Sequence, residues 1–144
     1  MAIDLDIFSK RDSYKHWSKE HVRYGDLDPV GHANNAAYAT YFESARVGLL
    51  AEIKGSMDGS DPRYDAAVVQ LNISFLKELR LNQDIEIGTL VTKIGNSSMQ
   101  LISGLFIQDT CCALCECVTV YFDKKERRAA PIPSFIRENL SKYA

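Results

Sequence analysis

The hydrophobic period of this chain changes once, and that change restricts the fold more than any other feature. From about residue 35 to residue 53 the apolar positions Tyr38, Phe42, Ala45, Leu49 and Ile53 step by four, three, four and four, which keeps them on one helical face. From Ala67 the period becomes two. Val69, Leu71, Ile73 and Phe75 alternate with Gln70, Asn72 and Ser74, the pattern of a strand with one buried face. Further strands are expected at 85–94, 99–108 and 113–122, separated by turns at 80–84, 95–98 and 109–110. Strands joined by turns this short run antiparallel. Residues 14–24 read as one more strand, packing Trp17, Val22 and Tyr24. Residues 135–143 read as a short helix packing Ile136, Leu140 and Tyr143. The order predicts an α+β fold, one long helix beside five antiparallel strands. Ala36, Ala37, Ala39, Ala45 and Gly48 would let other backbone approach that helix on several sides, as for a helix wrapped by a sheet. One helix layer leaves part of the sheet bare, so a homodimer at least is expected.

With 144 residues the chain reads as one domain, residues 1–14 being a candidate loose arm and residues 55–65 a polar loop with Gly55, Gly59 and Pro62. It is 46% hydrophobic without an apolar run of about 18 residues, which excludes a spanning helix. A net charge of −2 argues against nucleic acid as partner. The N-terminal residues mix Asp4 and Asp6 with isolated apolar positions, so no signal peptide is expected and the location expected is cytoplasmic. Cysteines fall at 111, 112, 115 and 117. Such crowding suits reduced thiols on a strand. A zinc site needs four ligands, and no second pair or histidine lies near Cys112-x-x-Cys115. No cofactor or metal is called for.

The chemistry concentrates in Arg23-Tyr24-Gly25-Asp26-Leu27-Asp28-Pro29-Val30-Gly31-His32-Ala33-Asn34-Asn35, just before the long helix. Pro29 pushes Asp28 into an extended conformation, Gly31 frees the backbone of the turn, and Asn34 suits an N-cap. A helix start leaves N–H groups unpaired at the positive end of its dipole, and an acid held in front of it can share a site with a developing oxyanion. Asp28 read alone is a turn carboxylate; with Gly31, His32, Asn34 and Asn35 in register it is the preferred catalytic residue. Asp26 reads as a binder of turn amides, and His32 as a group that orients Asp28 or a ligand, or that is simply hydrogen-bonded in the turn. Asn34 reads as a cap, and Glu43 as a side chain that reaches a partner chain or, the preferred reading, satisfies a buried polar group. Tyr38, Tyr41 and Phe42 are core first and pocket lining second.

The run Tyr24-Gly-Asp-x-Asp-Pro-x-Gly31-His32-x-Asn34-Asn35-x-x-Tyr38-x-x-Tyr41-Phe42-Glu43-x-Ala45-Arg46 resembles the hotdog-fold acyl-CoA thioesterases of the 4-hydroxybenzoyl-CoA thioesterase type, over roughly residues 15–135. The resemblance implies a five-stranded antiparallel sheet wrapped around one long central helix, dimers that often assemble into tetramers, and an acyl-CoA substrate. It places the catalytic acid on Asp28 and the thioester-polarising donor on the backbone N–H of Asn35. It implies CoA contact at the turn Gly95, Asn96, Ser97 and Ser98. Some members carry a basic cluster there, which this chain replaces with Gly-Asn-Ser-Ser, leaving Lys93, Arg127 and Arg128 as candidate phosphate partners. Two other readings stay open: an acyl-thioester hydratase or dehydratase using Asp28 with His32, and a non-catalytic acyl-CoA-binding dimer. The hydratase branch is associated with Asp-x5-His, a spacing this chain lacks.

Overall fold

The computed structural model describes residues 3–55 and 61–144, so residues 56–60 of the expected loop, Gly59 among them, lie outside the described residues. The element order is α1 (Leu5–Phe8), a 3-10 turn (Arg11–Ser13), β1 (His16–His21), a 3-10 turn (Tyr24–Asp26), α2 (Asn35–Gly55), β2 (Tyr64–Phe75), β3 (Asp84–Ile94), β4 (Ser98–Ile107), β5 (Thr110–Asp123), β6 (Arg128–Ala129) and α3 (Ser134–Ser141). The strands pair antiparallel in the order β1-β3-β4-β5-β2, and the two-residue β6 adds to β5. This sheet curls around α2 in the hotdog arrangement.

The buried face of α2 is the expected one, with Tyr38, Phe42, Ala45, Leu49 and Ile53 all inside, joined by Ala37 and Tyr41. Burying such side chains stabilises by roughly 1.5–3 kcal/mol each for the large apolar ones. The small residues do less than expected. Ala37 and Ala45 meet the sheet, but Ala36 is exposed and a Cβ on Gly48 would meet open space. Glu43, expected to satisfy a buried polar group or reach a partner chain, is exposed.

Two sequence expectations about the sheet need correction. First, β2 does not form a hairpin with β3; it pairs with β5 at the far edge, from Tyr64↔Asp123 to Phe75↔Ala113. The 76–83 link is no tight turn because it is anchored beneath the start of α2. Leu79 there is fully buried and its carbonyl accepts the Ala33 N–H at 2.8 Å. Second, three of the four alternating apolar side chains of β2 are exposed, Val69 at 61%, Leu71 at 41% and Phe75 at 47%, while Ile73 is half-buried against the core. The register shifts between Val68 and Gln70, and β2 lies at the sheet edge.

Residues 3–14, expected as a loose arm, are packed. Tyr14, Phe106, Cys111 and Leu114 form a second core with Ile3, Phe8 and Trp17 on the face of the sheet away from α2. Gly88 and Gly104 are cross-strand partners, and a Cβ on either would come within 2.6 Å of Tyr14. The two glycines form the slot that Tyr14 occupies. The Tyr14 hydroxyl donates to the Phe8 carbonyl at 2.6 Å, and the Arg11 guanidinium lies 4.2 Å from the centre of the Trp17 ring. Phe106→Ala is expected to cost about 3–5 kcal/mol by removing the centre of this cluster. Urea unfolding measures it; an unchanged midpoint would mean the arm adds no packing energy.

The four cysteines are free and buried on β5. Burial pushes the Cys111 thiol up to about 11 and that of Cys115 to about 12, so neither offers a thiolate near neutral pH.

Candidate active site

The 24–35 segment is built from its own hydrogen bonds. The Asp28 carbonyl accepts the Gly31 N–H at 3.0 Å, and the Asp28 N–H donates to the His32 carbonyl at 2.9 Å. Pro29 follows Asp28 in this turn, and Gly31 adopts φ of 89°, a left-handed conformation that favours glycine. Asp28 Oδ1 accepts the Val30 N–H at 2.9 Å and the His32 N–H at 3.4 Å. One oxygen is thereby held by the turn, and Oδ2 has no hydrogen-bond partner among the described residues.

Asp26 has a different task. Its Oδ2 accepts the Tyr41 hydroxyl at 2.6 Å and the Arg23 N–H at 3.0 Å, and its carbonyl accepts the Asn34 N–H at 2.8 Å. Desolvation pushes this carboxyl up, but Tyr41 and Arg23 together outweigh it and hold it below its ordinary value. A group depressed in the folded state stabilises above its unfolded value, about 3.9, and that contribution is lost as pH falls through the folded value. Asp26→Asn should therefore lower stability at pH 7 while narrowing the difference from wild type below about pH 4. Thermal melts across pH 2–7 measure it, and an equal difference at every pH would contradict it.

Asn34 caps α2, its Oδ1 accepting the Ala36 N–H at 2.9 Å. Asn35 is the first helical residue, and its N–H has no partner among the described residues. Asp28, His32, Ala33 and Asn35 line one side of a pocket of about 260 Å³; Phe75, Leu76, Lys77 and Glu78 line the other. Tyr38 also lines it, edge-on to Phe75 with ring centres 5.0 Å apart. The pocket places an acid with one free oxygen and an unpaired helix N–H together. A carboxylate and a free N–H side by side can act on a carbonyl group.

The sequence profile described as the thioesterase-like superfamily matches residues 22–140, most of the chain and all of this site. The chain belongs to the thioesterase-like superfamily. Among solved structures, the PA5185 protein from Pseudomonas aeruginosa is 29% identical with a TM-score of 0.83, covering 93% of this chain and 94% of that one. A thioesterase from Thermus thermophilus, solved with coenzyme A and zinc, is 26% identical with a TM-score of 0.76, covering 88% and 92%. The uncharacterized protein YsmA of Bacillus subtilis is 23% identical over 99 residues, a match spanning 69% of this chain and 66% of that protein's length.

In this thioesterase-like chain the expected CoA turn, residues 95–98, is not brought to the pocket. It sits beyond Ile94 at one end of β3, while the 24–35 segment meets the other end, where Val22 N–H donates to the Gln83 carbonyl at 3.0 Å. Eleven residues of strand separate the two ends, about 36 Å at the usual rise. The turn is closed by Gly95 N–H donating to the Ser98 carbonyl, and Arg137 of α3 donates to the carbonyls of Gly95 and Asn96 at 2.6 and 2.9 Å. Arg137 was not singled out in the sequence; nothing in its spacing marks it. Lys93 faces the groove with Gln70, Gln100 and Glu116, and Arg128 faces one with Arg63 and Asp123.

Glu78 is the other residue that sequence reasoning missed. Its Oε2 lies 2.8 Å from His32 Nε2 and its Oε1 accepts Arg80 Nη2 at 2.6 Å. Among the described residues no group of three or more His, Cys, Asp or Glu side chains is placed to hold a metal, and no helix is long and apolar enough to cross a membrane.

Proposed function

We propose that this chain hydrolyses acyl-CoA thioesters to the free acid and CoA, with Asp28 and the Asn35 N–H as the reacting groups. The observation that carries this is the pairing, in one pocket, of the Asp28 Oδ2 and the unpaired N–H of Asn35. The thioester carbonyl oxygen accepts from that N–H, which strengthens as charge builds on oxygen; such donors are worth on the order of 3 kcal/mol in other enzymes. Asp28 Oδ2 removes a proton from the attacking water, or attacks directly to give a mixed anhydride that water then opens. Tyr38, Phe75 and Leu76 supply apolar surface for the acyl group.

The covered half of the substrate depends on a second copy. The exposed apolar edge of β2, with Val68, Val69, Leu71 and Phe75, is the kind of surface a solitary protein avoids. Antiparallel pairing of two β2 edges would form a homodimer and carry one protomer's 64–66 and 95–98 end toward the other's 75–78 end. The CoA turn and the pocket would then meet across the interface. A dimer of such dimers gives the expected tetramer. The relative from Thermus thermophilus solved with coenzyme A supports CoA as the thiol, and Lys93, Arg127 and Arg128 are the candidate phosphate partners. The location proposed is cytoplasmic.

Thiol release from short, long and aromatic acyl-CoAs tests the reaction. Turnover of at least one class is expected; hydration of an enoyl-CoA without thiol release, or tight binding without either, would overturn it. Val69→Lys tests the edge: light scattering should give half the wild-type mass, with thiol release lost. A variant that keeps the wild-type mass would remove the β2 dimer.

A further inference from the structure

We propose that Glu78 is a positioning residue that holds His32 as the proton donor to the departing thiolate. This rests on the thioesterase reading and deepens it. Asp28 and the Asn35 N–H serve the water and the oxyanion, and a separate donor at sulfur lets the intermediate collapse without Asp28 having to turn from the water to the leaving group. His32 lines the same pocket. Its backbone is tied to Asp28 twice, through its carbonyl at 2.9 Å and its N–H at 3.4 Å, which fixes the point from which the ring extends.

Glu78 comes from the 76–83 link on the opposite wall. Its Oε2 lies 2.8 Å from His32 Nε2, and its Oε1 is held by Arg80 at 2.6 Å. The carboxylate is thus fixed at both oxygens. It takes the Nε2–H and sets the ring, and which ring nitrogen is available follows from the bond the other makes. Nδ1 has no partner among the described residues, and an imidazolium carries a second N–H there. Lys77 also lines the pocket wall.

The step balances as follows. Water adds to the carbonyl carbon while Asp28 Oδ2 takes its proton. The C–S bond then breaks, its electron pair goes to sulfur, and the Nδ1 proton of His32 passes to sulfur. The products are the acid and the free thiol. His32 regains its proton, and Asp28 loses one, by exchange with solvent.

The leaving group provides the test. Benzoyl and butanoyl thioesters are made with coenzyme A and with 4-nitrothiophenol, whose thiolate leaves without protonation. His32→Gln is expected to lower kcat toward the CoA thioester by about 100-fold and toward the nitrothiophenyl thioester by no more than about 3-fold. Glu78→Gln should show the same selectivity at about 10-fold with KM unchanged. Equal losses on the two thioesters, or wild-type rates on both, would overturn the proposal. Should either variant fail to fold, a series of thiols on the wild-type protein decides. A rate nearly independent of thiol pKa is expected, and a steep dependence contradicts it. A wild-type protein inert toward both thioesters would instead overturn the thioesterase reading itself.

Discussion

Asp28→Asn is expected to reduce acyl-CoA hydrolysis by about 10²–10⁴-fold, the range for removing a general base. The substitution isolates the chemistry from the fold. The turn needs only an oxygen at Oδ1 to accept from Val30 and His32, and an asparagine supplies one in the same place. What it removes is the charge and basicity of Oδ2. Thermal unfolding should therefore match wild type while thiol release disappears. Asp28→Ala should lose both, because the Val30 and His32 amides would lose their acceptor. If Asp28→Asn retains wild-type turnover, the acid is elsewhere, and Glu78 across the pocket becomes the group to examine.

The helix and the three strands β3, β4 and β5 were legible because each is governed by a local period, and their short turns leave one pairing. The position of β2 was not. Its apolar alternation reads as a buried face, yet pairing partner and burial depend on the whole chain, and in one copy that face stands at an open edge. The packed arm was missed for a similar reason. Tyr14 is buried because Gly88 and Gly104 fall opposite each other on neighbouring strands, and a cross-strand register cannot be read from either glycine alone. Glu43 and Gly48 were assigned from their place along α2, while their exposure is set by which side of the helix the sheet leaves open.

In the site, the 24–35 segment was readable because turn and cap chemistry are local. Asp28, Gly31 and Asn34 sit in the turn and cap geometry their residue types suggest, and Asp26 holds turn amides as expected. Glu78 and Arg137 reach their partners from 46 and about 41 residues away in sequence. No motif marks contacts of that range. The 95–98 turn was readable as a turn, but its distance from the pocket along β3 becomes visible only once the sheet is assembled. That distance is also the physical reason for joining the CoA contact to a second copy.

The oxyanion donor is the most direct point of attack, since it is a backbone group and side-chain replacement leaves it in place. Asn35 is the first helical residue, where proline is well tolerated because its missing N–H has no helical partner. Asn34 before it is the N-cap, a position of extended backbone that proline accepts on its N-terminal side. Asn35→Pro thus deletes the one N–H and leaves α2 in place, whereas Asn35→Ala deletes only the side chain. Thiol release from the best acyl-CoA should fall by about 10²–10³-fold in Asn35→Pro and stay near wild type in Asn35→Ala. Equal turnover in Asn35→Pro and wild type, with both folded, would contradict the assignment of this helix start as the oxyanion site.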